Sequence, residues 1–359
     1  MQTKFAEAKR VLMEANSVCI ISHKGPDGDT IGSNLALRYC LESYGKKVTS
    51  ACVDPLPKDS LWLKDADKFV TDFNYDDYDV IVSVDCGARK LVAFNERKPE
   101  LFGGGASGRE VSDDTSPGST GAAGDGGITG KSTRKHFINI DHHESNDNYG
   151  TINLVDPKAA ATCFVIFFFL RNAKCEITPD TATALLHGLY FDTGSFMHSN
   201  TSEYVLKVAF ELMRAGANFK RSAKELFHTT PVNKLRLWGR VMERAYVNEE
   251  GVTVSAVSKH DYSVCGASSH DTGGVIDFLN SVPGSKYCVL LSEDDKGLVK
   301  GSLRTQRDDV NLSEVAKEFG GGGHPKASGF GVPGRLQPVV AWKIVPENGA
   351  EAHGSVVKF

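Results

Sequence analysis

Six residues, His23, Asp27, Asp29, Asp85, His142 and Asp192, have the types and spacing of a two-metal site. The first three fall in HKGPDGDT, Asp85 closes VIVSVD, His142 sits in the triplet Asp141–His142–His143, and Asp192 opens DTGS. Carboxylates and neutral imidazoles suit Mn²⁺ and similar divalent ions. So many carboxylates in one place would repel one another without cations between them. Two ions roughly 3.5–4 Å apart can share one carboxylate and one bridging water, lower that water's pKa, and offset charge developing on phosphoryl oxygens. The chemistry expected is hydrolysis of a phosphate ester. Singly, each element has a plainer reading. A strand-end Asp is commonly a helix N-cap, as Asp29 before Thr30 can be, and adjacent histidines can be polar turn residues. The joint spacing favours the metal site.

Such residues need elements that converge. SVCIIS (17–22), KKVTSACVD (46–54), YDVIVSVDC (78–86) and HFINIDHH (136–143) read as strands, and residues 30–44 carry helical spacing ending at Gly45. This alternation predicts an α/β unit, a parallel sheet with helices on both faces. Ligands of such sheets bind outside the carboxyl ends of the strands, so four strand ends, Asp192 included, would meet at one crevice. Residues 103–133 are rich in Gly, Ser, Thr and Asp and hold almost no large apolar residue, which predicts a disordered or mobile surface insert. Helical patterns follow over 159–190, on both sides of Thr178–Pro179, and over 201–245 with a break near Pro231.

Beyond them VTVSAVS (252–258), KYCVLLSED (286–294) and GLVKGSLRT (297–305) read as strands, and 272–281 and 311–319 as helices. The expected organisation is a catalytic α/β domain at 1–198, a helical linker at 199–245 and a smaller α/β domain at 246–359, with the active site in the cleft between the domains. Arg304 ends a strand in GSLRT, and FGGGGHPKASGF (319–330) carries Gly321, Gly322, Gly323 and His324. Glycine backbone N–H groups can cradle a phosphate, and a guanidinium can pair with one. The alternative is that these glycines only make a tight turn. Lys326 reads as a solvated surface charge.

Bulk properties bound the partners. The 359 residues are 40% hydrophobic and 24% charged with net charge −4, which argues against broad binding of long duplex nucleic acid. The eight cysteines form no CxxC pair and several sit in apolar runs, so buried reduced thiols are expected. The N-terminus reads as an amphipathic helix, not a secretory leader, and the longest apolar run is far short of the ~18 residues of a membrane span. A soluble cytoplasmic protein is expected, and a homodimer stays open.

HKGPDGD, VSVDCG, NIDHHESN, YFDTGSF and FGGGGHPKASGF resemble, in order, the signature motifs of the DHH phosphoesterase superfamily. The likeness spans roughly residues 5–335 apart from the insert. The nearest wording is that of the nanoRNase/pAp phosphatase branch, with the first type of DHH-associated C-terminal domain. The resemblance implies that His23 and Asp27 bind one Mn²⁺, that Asp29, His142 and Asp192 serve the second, and that Asp85 bridges both. It implies that Asp141 orients a ligand, that His143 contacts the scissile phosphate or its leaving group, and that Arg304, His324 and Gly321–Gly323 hold the substrate. The activity implied is hydrolysis of short RNA, or linear or cyclic dinucleotides, to mononucleotides. Hydrolysis of 3′-phosphoadenosine 5′-phosphate (pAp) at the same site is the second reading. A nucleotide sensor without turnover would call for degenerate ligands, and none of the six positions is degenerate.

Overall fold

The structure is a computed structural model that describes residues 2–98, 101, 135–337, 342–343 and 356–357. The insert at 103–133 lies outside these residues. The chain divides into two compact units, residues 1–229 and 230–359.

The first unit is built on a five-stranded parallel sheet, β1 (Ser17–Ile21), β2 (Lys47–Ala51), β3 (Val80–Val84), β4 (His136–Asp141) and β5 (Ile152–Val155), in the order β2-β1-β3-β4-β5. Its helices are α1 (Gln2–Glu14), α2 (Gly28–Ser43), α3 (Thr162–Ala173), α4 (Pro179–Asp192), α5 (Glu203–Arg214) and α6 (Phe219–Phe227). Every residue of β3 is buried, as a continuous apolar run in a central parallel strand requires. One face, with Ile20, Val82, Ile138 and Leu154, packs against Leu35, Ile166 and Leu186 of the helices. The other face, with Ile21, Ile81 and Phe137, packs against Phe73, Tyr78, Val92 and Phe94. Helices were expected on both faces. Among the described residues the second face is covered by connecting segments, whose aromatic residues fill the place of a helix.

Chain direction decides where a ligand can sit. From β1 the chain passes to β2 on one side and then to β3 on the other. The loops leaving β1 and β3 therefore diverge and open a crevice at their carboxyl ends. Thr178 caps α4 by accepting the Thr181 N–H, with Pro179 in the first turn.

The second unit holds α7 (Val232–Glu243), β6 (Tyr246–Val247), β7 (Thr253–Val257), α8 (Lys259–Cys265), α9 (Val275–Leu279), β8 (Cys288–Glu293), β9 (Leu298–Arg304), α10 (Leu312–Glu318), β10 (Gly322–His324) and β11 (Ala327–Pro333). The sheet order is β10-β11-β9-β8-β7-β6. Cys288 and Leu290 pack with α7–α9, whereas Val289 and Leu303 pack with α10. Residues 320–324 do not merely turn: Gly322–His324 pair with β11 as a strand.

All eight cysteines are buried and free of disulfides, as expected. No helix among the described residues is long and apolar enough to cross a membrane.

Candidate metal centre

The loop after β1 brings the first donors. His23 Nδ1 lies 3.0 Å from the Lys24 carbonyl oxygen, which places the ring proton on Nδ1. Nε2 then faces Asp27 Oδ2 and Asp85 Oδ2, each at 3.6 Å. Asp27 is the N-cap of α2: its Oδ1 accepts the N–H groups of Asp29 at 3.0 Å and Thr30 at 3.1 Å. The cap is thus Asp27, where Asp29 was the candidate. One Asp27 oxygen starts the helix while the other turns to His23. Asp54 Oδ2 accepts the Gly25 N–H at 2.7 Å and ties this loop down.

Asp85 follows β3 in a left-handed backbone conformation, φ 60°. That strain, of order 1–3 kcal/mol for a non-glycine residue, marks a conformation imposed by its surroundings. Its N–H donates to the Ile140 carbonyl at 2.9 Å. The two carboxylate oxygens face different partners. Oδ2 faces His23, while Oδ1 lies 3.6 Å from His142 Nε2 and 3.7 Å from His143 Nδ1.

His142 follows β4. Its Nδ1 lies 3.2 Å from the Ala159 carbonyl oxygen, and Nε2 lies 3.1 Å from Asp192 Oδ2. Asp192 ends helix α4 rather than a strand, so three strand ends and one helix end meet here. Asp29 is fully buried and accepts backbone N–H groups from Thr162 at 2.6 Å and Cys163 at 2.9 Å. Helix α3 has no side-chain cap on Ala161, and Asp29 supplies that cap from α2. α2 and α4 can approach this closely because Gly188 has no side chain. A Cβ there would stand 2.8 Å from Asp29 Oδ1 and 2.4 Å from Cys163 Sγ.

Asp141 turns to His143, where it was expected to orient a metal-ligating ring. Its Oδ1 lies 2.8 Å from His143 Nδ1, and its Oδ2 accepts from Asn146 Nδ2 at 2.5 Å. Orientation of His142 falls instead to the Ala159 carbonyl. Asp141 is the last residue of β4, and the turn follows at 144–145.

Among the described residues, three groups have donor atoms within 4.8 Å of one another: His23–Asp27–Asp85, Asp29–His142–Asp192 and Asp85–His142–His143. All six expected ligands are therefore brought together. Burial, then the charges of Asp85 and Asp192, pushes the Asp29 carboxyl well above its ordinary range. Burial likewise raises Asp192, outweighing its pairing with His142. Burial opposes charge on His23 and His142, but the carboxylates beside them prevail and hold both rings well above the imidazole range. Buried acids facing imidazole nitrogens are a donor set that divalent cations satisfy.

In the second unit, Arg304 pairs across β9–β11 with Ala327, and Ala327 pairs across β10–β11 with His324. Directly opposed residues share a sheet face, so Arg304 and His324 flank the small Ala327, about 10 Å apart. Gly321 and Gly323 have packing reasons of their own. A Cβ on Gly321 would stand 2.2 Å from the Gly329 carbonyl oxygen, and Gly323 has φ +142°. Gly322 has neither constraint, and a Cβ there would meet nothing within 4 Å. Lys326, expected to be a solvated surface charge, is partly buried and pairs with Asp308 at 2.8 Å.

Sequence spacing had not singled out Thr162, Asn146 or Asp54. Thr162 Oγ1 donates to Asp85 Oδ1 at 2.9 Å, and Asn146 and Asp54 hold Asp141 and Gly25. These are ordinary polar residues at loop or helix starts, and only the tertiary fold brings them to the centre.

Residues 248–342 match the DHHA1 domain. The bifunctional oligoribonuclease and PAP phosphatase NrnA of Thermus thermophilus is 28% identical over 319 residues, 88% of this chain and 84% of that one. The probable protein of the same name from Streptococcus mutans is 24% identical, covering 88% and 89%. The crystal structure of an exopolyphosphatase-related protein from Bacteroides fragilis superposes with a TM-score of 0.78, at 22% identity over 94% of this chain and 93% of that one, which shows a shared fold. A DHHA1 domain at 248–342 behind a parallel-sheet unit, with likeness to the two NrnA proteins over 88% of the chain, supports the DHH superfamily and, within it, the nanoRNase branch.

Proposed function

We propose that this protein is a Mn²⁺-dependent phosphodiesterase that hydrolyses short oligoribonucleotides or dinucleotides to mononucleotides. The observation that carries the reading is the Asp85 carboxylate, whose two oxygens face His23 on one side and His142 on the other. That is the arrangement a shared ligand of two ions needs. His23, Asp27 and Asp85 would hold one ion, and Asp29, His142, Asp192 and Asp85 the other. Bound divalent ions supply a water of lowered pKa and offset charge on the phosphoryl oxygens.

The chain's own residues would do the rest. With Asp141 fixing its Nδ1 side, His143 can offer Nε2–H to a phosphoryl or leaving oxygen. Burial opposes a charged ring at His143, but the Asp141 and Asp85 carboxylates outweigh it and raise its pKa, which favours a proton to give. Arg304 and His324, on one sheet face with the open Gly322 beside them, would hold the substrate's phosphate and sugar. The substrate class is supported by the names of the relatives, which pair an oligoribonuclease with a PAP phosphatase. Those names also support a second reading, pAp hydrolysis at the same site.

The test is incubation with Mn²⁺ and either pApA or pAp, with release of AMP as the readout. Release from pApA that is abolished in His142→Ala supports the phosphodiesterase. The ratio of kcat/KM on the two substrates ranks the readings. No release from either, or release unaffected in His142→Ala, overturns both.

A further inference from the structure

Thr162 is the first residue of α3, is fully buried, and touches two carboxylates of the centre. Its hydroxyl donates to Asp85 Oδ1 at 2.9 Å, and its backbone N–H donates to Asp29 Oδ2 at 2.6 Å. We propose that Thr162 is a positioning residue that sets metal affinity chiefly at the Asp29–His142–Asp192 position, with a smaller effect on the His23–Asp27–Asp85 position that shares Asp85. This rests on reading the two groups as metal positions.

The hydrogen bonds from α3 fall on one side of the centre. They reach Asp29 and Oδ1 of Asp85, the oxygen that faces His142. Asp27 is held instead by the first turn of α2, and Oδ2 of Asp85 faces His23. A carboxylate oxygen has two lone-pair directions. The hydroxyl occupies one on Oδ1 and so fixes where the other points. The terminal torsion of Asp is broad, so without that donor the carboxylate plane is free to rotate. Hydrogen bonds that orient a metal ligand are typically worth 10–100-fold in metal affinity. Thr162→Val keeps the shape and removes only the donor, and Thr162→Ser keeps the donor.

The experiment is calorimetric titration of Mn²⁺ into chelator-treated full-length protein, wild type and both variants, with melting temperatures recorded alongside. The wild type is expected to show two classes of site. Thr162→Val is expected to weaken one class by roughly 10–100-fold and the other by a smaller factor, and Thr162→Ser to restore the wild-type isotherm. With pApA, kcat of Thr162→Val should fall at limiting Mn²⁺ and recover at saturation, with KM constant. A Thr162→Val isotherm equal to wild type overturns the assignment while leaving the metal reading intact. Equal weakening of both classes with a lowered melting temperature also overturns it, being the mark of a structural role. A wild type that takes up fewer than two Mn²⁺ overturns the two-metal reading and the role of Thr162 together.

Discussion

His143 Nδ1 lies 2.8 Å from Asp141 Oδ1, and Asn146 holds the other oxygen of that carboxylate. Asp141 thus serves the outer histidine, not the His142 ring that faces Asp192. Asp141→Asn should lower kcat on pApA by about 100-fold, the scale of a lost general acid, while Mn²⁺ binding is largely kept. Steady-state kinetics beside a Mn²⁺ isotherm separates the two effects. Unchanged kcat, or loss of both together, contradicts the role given to His143.

Gly188 lets α4 lie against Asp29. In Gly188→Ala the added carbon would have to displace Asp29 or Cys163, since it would stand 2.4 Å from the Cys163 sulfur. Overpacking of this kind costs about 1–3 kcal/mol, and weaker Mn²⁺ binding should accompany it. Gly239 is the control. It lies within helix α7, and a Cβ there meets nothing within 4 Å. Gly239→Ala should therefore stabilise by up to about 1 kcal/mol. Urea unfolding of the three proteins checks both signs.

His187 should make the first unit acid-sensitive. The ring is fully buried, its Nε2 lies 3.1 Å from Ser60 Oγ, and Nδ1 has no hydrogen-bond partner. Burial pushes its pKa down to about 4. An unfolded histidine titrates near 6.5. Between these values the unfolded chain binds a proton that the folded chain refuses, so stability falls as pH drops from about 6.5 to about 4. The full effect is roughly 3 kcal/mol. His187→Leu lacks the group, so the difference in unfolding free energy between wild type and variant should shrink or grow with pH over that window, against the wild type at the acid end. A difference independent of pH would count against a neutral buried ring.

Arg304→Ala and His324→Ala should each raise KM for pApA by about 10–100-fold, the scale of a hydrogen bond to a charged group. Their kcat on bis(p-nitrophenyl) phosphate should stay near wild type, because that ester has no distal nucleotide to grip. Arg304→Lys should recover only part of the loss, since a lysine lacks the planar fork. Equal losses on both substrates would place these residues in the chemistry instead of recognition.

Local sequence revealed the elements whose pattern is strong and the residues whose chemistry is rare. The runs at 78–86 and 136–143 are apolar enough to read as buried strands, and β3 and β4 lie inside them. Histidines and aspartates gathered at such ends are uncommon, which made the six donors visible. β5 and β10 were not read, because four and three residues give too little periodicity. Asp192 was placed at a strand end because LLHGLYF is apolar all round, and a buried helix and a buried strand look alike in that respect. Thr162 was invisible for another reason: its partners, Asp29 and Asp85, are 133 and 77 residues away.

Asp29 combines two duties that are usually assigned to separate residues. It faces His142 and Asp192, and it also accepts the first buried N–H groups of α3. Deleting its carboxylate would fray the start of a core helix as well as empty a ligand position. An inactive protein made at Asp29 is therefore a poor reagent for trapping substrate, because it mixes lost chemistry with a loosened scaffold. Among the described residues Asp192 caps no other helix, and it ends its own, so Asp192→Asn is the better starting point for a catalytically silent but intact protein.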